Sequence, residues 1–528
     1  MLVDDMRDMR ANLRNQLDQL GIAKVDQAKN AAEALKLLGG NRYDLVLCDY
    51  NLGDQTNGQQ LLEFLKAKRI LPASTIFFMV TAESKYTSVV TAGEFAPDDY
   101  LIKPFTASNL GNRLERHFEK QDALAPITRR LASADLNGAV AECERLIAGR
   151  SKFSMEALRF KAQTLMDLGR PDEAGTVYGQ VLAIRDSVPW AQLGLACALK
   201  ASGARERARS VAVSLVASNP NFVSAYDLLA DLHREEGDEQ AAFKVLQQAE
   251  AVVPSARRAR IVGDMAYQIG NLEIARASFE RVVGATRNSV TKSSRDSSSL
   301  SQVYVDVGEP KKALDTLKAV EREFSREPAF QAMAAAVESR AHRDLGNEQA
   351  AAAALDKALA LTSEAGAEAA IFVSKACLSS GREEEGVKLL SGAVRSNHED
   401  ARLISLAKRV LKDTGHEAKS HQLVDVQVSE MLELTGKALA VAQKARLDDA
   451  VSMITEAVLK LPDNPGVLLA AAQINLLWLS QKGLNLEFVN RIKAYMAKLE
   501  ILLPGHERVL KMNHFFRETL ARVAVVRE

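Results

Sequence analysis

Four short apolar runs in the first hundred residues each lead into a polar group. Met1-Leu2-Val3 is followed by Asp4 and Asp5. Leu45–Cys48 is followed by Asp49, and Ile76–Val80 by Thr81. Tyr100-Leu101-Ile102 is followed by Lys103 and Pro104, so Tyr100 lies within its run rather than after it. Segments with helical spacing separate the runs, which predicts an open α/β sheet. In such sheets the C-terminal strand ends gather on one edge, where ligands bind. Three carboxylates, one hydroxyl and one ammonium are therefore expected in one crevice.

This ordered set resembles the CheY-like receiver domain of bacterial response regulators, over about residues 1–121. The resemblance implies a flavodoxin-like, doubly wound sheet of five parallel strands. It implies Asp49 as phosphoacceptor, with Mg2+ held directly by Asp5 and Asp49, through water by Asp4, and by the backbone carbonyl of Asn51. Lys103 and Thr81 would contact the phosphoryl oxygens, Tyr100 would rotate with phosphorylation, and the Lys103–Pro104 bond would be cis. The output face would comprise about Ser84–Ala92, Asp99–Ile102 and Thr106–Lys120. The residue types suit this chemistry. Carboxylates crowded together repel one another. A hard cation takes oxygen ligands, and a carboxylate can form an acyl phosphate.

Two positions depart from the family pattern. Gly53 stands where a Pro is usual four residues after the acceptor, and the loop to Asn57-Gly58 is one residue longer. Phosphorylation rate or lifetime is expected to be unusual. Only three residues precede Asp4, against the usual five or six of a strand. Either the start is assigned too late or a central strand is short; the first is expected.

At 528 residues the chain exceeds one domain. Beyond Lys120 the strand pattern gives way to a repeat. Gly169, Gly203 and Gly237 are 34 residues apart, and Ala174, Ala208 and Ala242 keep the same step. Pro220 and Pro254 recur likewise. Helix–turn–helix units of 34 residues are the tetratricopeptide signature. The expected organisation is a receiver at 1–121, a helical connector with a partial repeat at 122–154, a repeat array at 155–400, and a C-terminal helical region with a degenerate repeat at 401–528. The receiver is thus followed by an all-α solenoid. Asp122–Pro126 reads as a short separator, and the Ser-rich stretch 289–301 as a flexible loop.

The repeat resemblance implies a concave groove. In this register it is lined by Arg159, Gln163, Trp190, Leu193, Asp227, Asp231, Arg257, Arg260, Asp264 and Tyr267. Trp190, with Arg159, Asp231 and Arg260, heads the candidates for partner binding, since Trp is enriched at binding hot spots; a core position for Trp190 is equally open.

Composition bounds the rest. Net charge is zero, so no basic field points to nucleic acid. The four cysteines show no metal-ligand spacing, which fits a reduced, cytoplasmic setting. No uncharged apolar run reaches the roughly 20 residues of a membrane span; Gly466–Ser480 reads as a buried helix. No Walker loop or zinc-protease helix is present, so enzymatic activity is not expected. The leading expectation is a two-component response regulator, phosphorylated by a sensor histidine kinase, whose array binds and regulates a partner protein. A homodimer is compatible with the sequence. The rivals are a DNA-binding transcription regulator, with Arg491–Arg522 as its basic stretch, and a phosphatase acting in a phosphorelay.

Overall fold

The computed structural model describes residues 1–53, 56–68, 70–72, 75–82, 96–133, 135–443, 446–503 and 507–525. The strands are β1 (Leu2–Val3), β2 (Gln27–Ala28), β3 (Leu45–Asp49), β4 (Ile76–Thr81) and β5 (Asp99–Ile102). All neighbours pair in parallel, in the order β2-β1-β3-β4-β5. β3 and β4 are apolar almost throughout because both faces are covered. On one face, Leu2, Leu47, Phe78 and Leu101 pack with Leu13 and Leu17 of α1 (Arg7–Gln19) and with Leu110 and Leu114. On the other, Val3, Cys48 and Phe77 pack with Ala34 of α2 (Ala31–Gly40) and Leu61 and Leu65 of α3 (Gly58–Ala67).

The last receiver helix does not stop near Lys120. It runs unbroken from Ala107 to Ala132 with Pro126 inside it, so Asp122–Pro126 is not a separator. An interior Pro costs a helix about 3 kcal/mol. Burial of Leu124 and Ile127 against Cys143 and Ala157 offsets that cost. The Thr128 hydroxyl donates to the Ala125 carbonyl.

Helical pairs follow, and one glycine marks each. Gly169, Gly203, Gly237, Gly270, Gly308, Gly346, Gly381 and Gly415 all have positive φ. Each ends the first helix of a pair, in a conformation that L-residues rarely adopt. The next amide bonds back five residues, as in Arg170 to Leu165 (2.9 Å), Asp238 to His233 (2.9 Å) and His416 to Leu411 (2.7 Å). This is the Schellman closure. Five residues after the glycine a small residue is buried: Ala174, Ala208, Ala242, Ala275, Ala313, Ala351 and then Gly386, whose added Cβ would meet the Leu378 side chain at 2.7 Å. Gly415 carries the glycine closure past residue 400, where the sequence shows only a degenerate repeat.

The expected loop at 289–301 is confined to 289–293, and from Ser294 the Ser-rich stretch is helical. Ser294–Asp306 is helical, and nearly all of it is buried, including Asp296, Ser297, Ser298 and Ser301. Serine is small enough to sit where the other repeats use Ala, and the Ser298 hydroxyl is satisfied by the Ser294 carbonyl at 3.1 Å. The segment Glu348–Ser379 is two helices meeting at Gly366, φ 83°. Pro465–Lys482 is a buried core helix, as its composition predicts. Among the described residues no helix is long and apolar enough to cross a membrane.

The chain forms two compact units. One comprises Met1–Val262 with Arg281–Lys292, the other Gly263–Glu280 with Ser293–Glu528.

Candidate functional site

The strand register sets the site. Val3 pairs with Cys48, Asp49 with Val80, and Thr81 with Ile102. Asp4, Asp49, Thr81 and Lys103 therefore leave the same sheet edge. One carboxylate oxygen from each of Asp4, Asp5 and Asp49 lies within 4.8 Å of the other two. Asp4 is fully buried and Asp5 exposed. One Asp4 oxygen accepts from the Met6 amide (2.8 Å), and the other from Lys103 Nζ (3.2 Å). The same ammonium donates to Asp49 at 3.0 Å. Arg10 donates to the backbone carbonyls of Asp4 (2.6 Å) and Asp5 (3.2 Å).

Three carboxylates face one ammonium, and burial raises the cost of charge on Asp49. It pushes the Asp49 carboxyl up to about 6, with Asp4 adding to the rise, although Lys103 opposes both. A donor set of clustered carboxylates with excess negative charge suits a hard divalent cation.

Thr81 is buried at the end of β4. Tyr100 is also buried, within the cluster that holds Val3, Cys48 and Leu61, and its hydroxyl has no hydrogen-bond partner among the described residues. Asn51, two residues after Asp49, is exposed. Lys103–Pro104 is cis. Of the expected output face, Asp99 pairs with Arg113 (2.6 Å) and lies 3.5 Å from His117, while Ser84–Ala92 is outside the described residues.

The Gly53 departure has a structural reason. Its φ is +67°, which proline cannot adopt. A Cβ there would also lie 2.5 Å from an Asp5 carboxylate oxygen. The loop thus packs glycine against an acid of the cluster.

The residues named for the groove have mixed fates. Arg159 stacks over the Trp190 ring at 5.3 Å, and Trp190 lies edge-on to Tyr178, half-buried against the core. Arg159 and Gln163 also line a cavity of about 820 Å³ beside the helix Ala107–Ala132, with His117, Lys120 and Arg129. Asp231 is exposed and Arg260 half-buried. Asp227 is paired with the buried Arg258. In the second unit, Asp264 pairs with Arg295 (2.8 Å), and the Tyr267 hydroxyl bonds to Asp306 and Lys375, both at 2.8 Å.

Sequence reasoning missed the network around Lys375. This lysine is 1% exposed and reaches Asp306 (2.8 Å) and Asp413 (2.6 Å), while Arg340 also binds Asp306 (2.6 Å). Partners 38 and 69 residues away from Lys375 leave no local signal. In the basic stretch near the C-terminus Arg491 is ion-paired with Glu487, Lys498 with Asp463 and Arg508 with Glu399.

A parallel five-stranded sheet with a Lys-bridged acidic cluster on its C-terminal edge defines a receiver. The response regulator receiver domain family matches residues 1–115. The chain is 32% identical over 120 residues to the chemotaxis protein CheY of Pseudomonas aeruginosa, covering 23% of this chain and 95% of that one. It is also 32% identical over 120 residues to CheY-3 of Vibrio cholerae, covering 23% and 91%. The chain therefore belongs to the response regulator receiver family through this N-terminal domain. Among solved structures, a tetratricopeptide repeat protein from Parabacteroides merdae has a TM-score of 0.35 at 16% identity, covering 49% of this chain and 98% of that one. A thermophilic TPR protein of Thermus thermophilus has a TM-score of 0.24 at 22% identity, covering 35% and 98%. The eight glycine-closed helix pairs, not those likenesses, define the array as tetratricopeptide-type.

Proposed function

We propose that this chain is the response regulator of a two-component system, and that Asp49 is its phosphoacceptor. The carrying observation is the Asp4–Asp5–Asp49 cluster with Lys103 bonded to Asp49. An Asp49 carboxylate oxygen attacks phosphorus. The bond from phosphorus to the donor breaks, and its electron pair leaves with the donor, the imidazole of a kinase phosphohistidine or the acetate of acetyl phosphate. Catalysis is chiefly positioning and charge stabilisation. Lys103 would hold an incoming phosphoryl oxygen, and Thr81 would donate its hydroxyl to another. Asp5 and Asp49, the Asn51 carbonyl and, through water, Asp4 would hold Mg2+, which supplies charge neutralisation at the transferring group. The array's role is to bind and regulate a partner protein, with Arg159 and Gln163 on the cavity wall as its first contacts.

The test is incubation with acetyl phosphate and Mg2+, followed by intact-mass measurement. Wild type gains one phosphoryl group; Asp49→Asn does not, and neither does wild type with chelator. Full labelling of Asp49→Asn at the wild-type rate would overturn the assignment.

A further inference from the structure

The loop that follows the proposed acceptor is held by the array itself. Gly58 opens α3 and lies directly on the Asp49 backbone. Its amide donates to the Tyr50 carbonyl at 2.8 Å, and an added Cβ would lie 2.2 Å from the Asp49 carbonyl oxygen. Asn57 and Gln60 close a capping box around this start. Thr56, two residues before Gly58, is 2% exposed, and its hydroxyl meets the Ser289 hydroxyl at 2.9 Å across 233 residues of sequence. The Val290 amide donates to Thr56 Oγ1 at 3.3 Å. The Val290 side chain packs against the receiver core cluster that contains Leu52, Leu61 and Leu62. Leu52 lies between Asn51 and Gly53, inside the loop that borders the acidic cluster.

A second, electrostatic influence lies further along α3. Glu63 accepts from Gln59 at 3.1 Å. Burial pushes its carboxyl up, and the charges of Arg257 and Arg258 oppose that rise. Those arginines sit at the start of the helix Ala256–Ile269. All these residues belong to one compact unit. The exposed surface of an isolated receiver would present Thr56 and this face of α3 to solvent. Here an apolar side chain and a buried hydroxyl pair cover it.

We propose that the β3–α3 junction of the receiver is the docking surface for the array segment 281–292, and that occupancy of the Asp49 site loosens this contact. The inference rests on Asp49 being the acceptor. The physical route is short. A group added at Asp49 must be accommodated by a loop whose Gly58 end touches the Asp49 backbone and whose Leu52 shares an apolar cluster with Val290. Tightly packed contacts of this kind switch between arrangements rather than stretch. The buried Thr56–Ser289 pair makes the docked arrangement specific, because separating it takes both the Ser289 hydroxyl and the Val290 amide from Thr56, while Ser289 keeps Thr291 at 2.8 Å.

Hydrogen exchange by mass spectrometry on the full chain tests this. Phosphorylation with acetyl phosphate and Mg2+ should speed exchange over 281–292 and over 56–65 by at least about 5-fold, the low end of typical coupling. Peptides from 155–218 serve as the unchanged reference. Because coupling is reciprocal, Val290→Asp should shift the Mg2+ concentration that half-protects the 50–59 segment by a similar factor. Thr56→Val, which keeps size and removes the hydroxyl, should shift it in the same direction and guards against misfolding of the first variant. Intact mass separates the two ideas. A full mass gain with unchanged or slower exchange over 281–292 overturns the coupling while leaving the acceptor in place. No mass gain overturns the acceptor assignment, and the Mg2+ titrations then decide the coupling alone. Identical half-points in wild type and both variants overturn it.

Discussion

The Lys103 ammonium donates to an Asp49 oxygen at 3.0 Å, and it occupies the space between Asp49 and the fully buried Asp4. It is a cation built into an acidic cluster, so it competes with any metal ion for those oxygens and stands ready for a phosphoryl group. Lys103→Ala is therefore expected to bind Mg2+ several-fold more tightly, since one charge at this range is worth on the order of 1 kcal/mol or more near a surface. It should nevertheless accept phosphoryl groups at least about tenfold more slowly, by analogy with loss of one stabilising donor at a reacting oxyanion. Mg2+ titration and timed intact-mass labelling check the two halves. Unchanged labelling would remove Lys103 from the proposed transfer.

Asp5 should dominate metal affinity. Both Asp4 oxygens are engaged, by Lys103 and the Met6 amide, whereas Asp5 is exposed. Asp5→Ala should weaken Mg2+ binding more than Asp4→Ala, measured by calorimetric titration. Wild-type affinity in both variants would show that the acidic pair is not a metal site.

Lys375 should be among the most sensitive positions for stability. Burial would push the Asp306 carboxyl up, yet Lys375 and Arg340 hold it well below the usual carboxylate range. Lys375→Met removes the cation shared by Asp306 and Asp413 and leaves them Arg340 and Arg409 alone, and breaking such a buried pair costs about 3–5 kcal/mol. Urea unfolding should show this loss, and adding Asp306→Asn to Lys375→Met should recover part of it. A loss below about 1 kcal/mol would mean that the network contributes little.

His398 should make the second unit acid-sensitive. It is 2% exposed, and its Nδ1 faces Asn464 Nδ2 at 2.9 Å. Asn464 in turn accepts from the Val467 amide and caps the helix Pro465–Lys482. Burial lowers the His398 pKa below its ordinary 6.5. A depressed folded-state pKa means the stabilisation is fully present above the unfolded value and is lost as pH falls below it. The urea midpoint should drop as pH falls below about 6.5, the ordinary histidine value, toward the depressed folded-state value. His398→Phe should flatten that drop. An equal drop in both proteins would discount His398.

The acidic cluster was legible because strand ends converge by topology, so Asp5, Asp49, Thr81 and Lys103 could be placed from chain order alone. The repeat was legible from Gly169 to Gly270, where glycine and alanine keep their spacing. It faded where the same positions are filled by other small residues. Gly386 stands for Ala, and the serines of Ser294–Asp306 replace an apolar helix face. Composition assigned those serines to solvent, whereas packing needs only their small size. Pro126 misled for a related reason: local preference ended a helix that burial of Leu124 and Ile127 continues.

By itself the sequence determined the sheet, its site and the repeat, since each depends on short-range periodicity and on residues with one conformational or chemical use. Tertiary structure alone decided which polar groups became internal. Thr56 meets Ser289 and Lys375 meets Asp306 because distant segments are folded together. Hydroxyls and ion pairs have many possible partners, so their pairing follows from the packing of the helices that carry them. The backbone path likewise decided position 53, where a φ of +67° admits glycine and excludes the proline usual in the family.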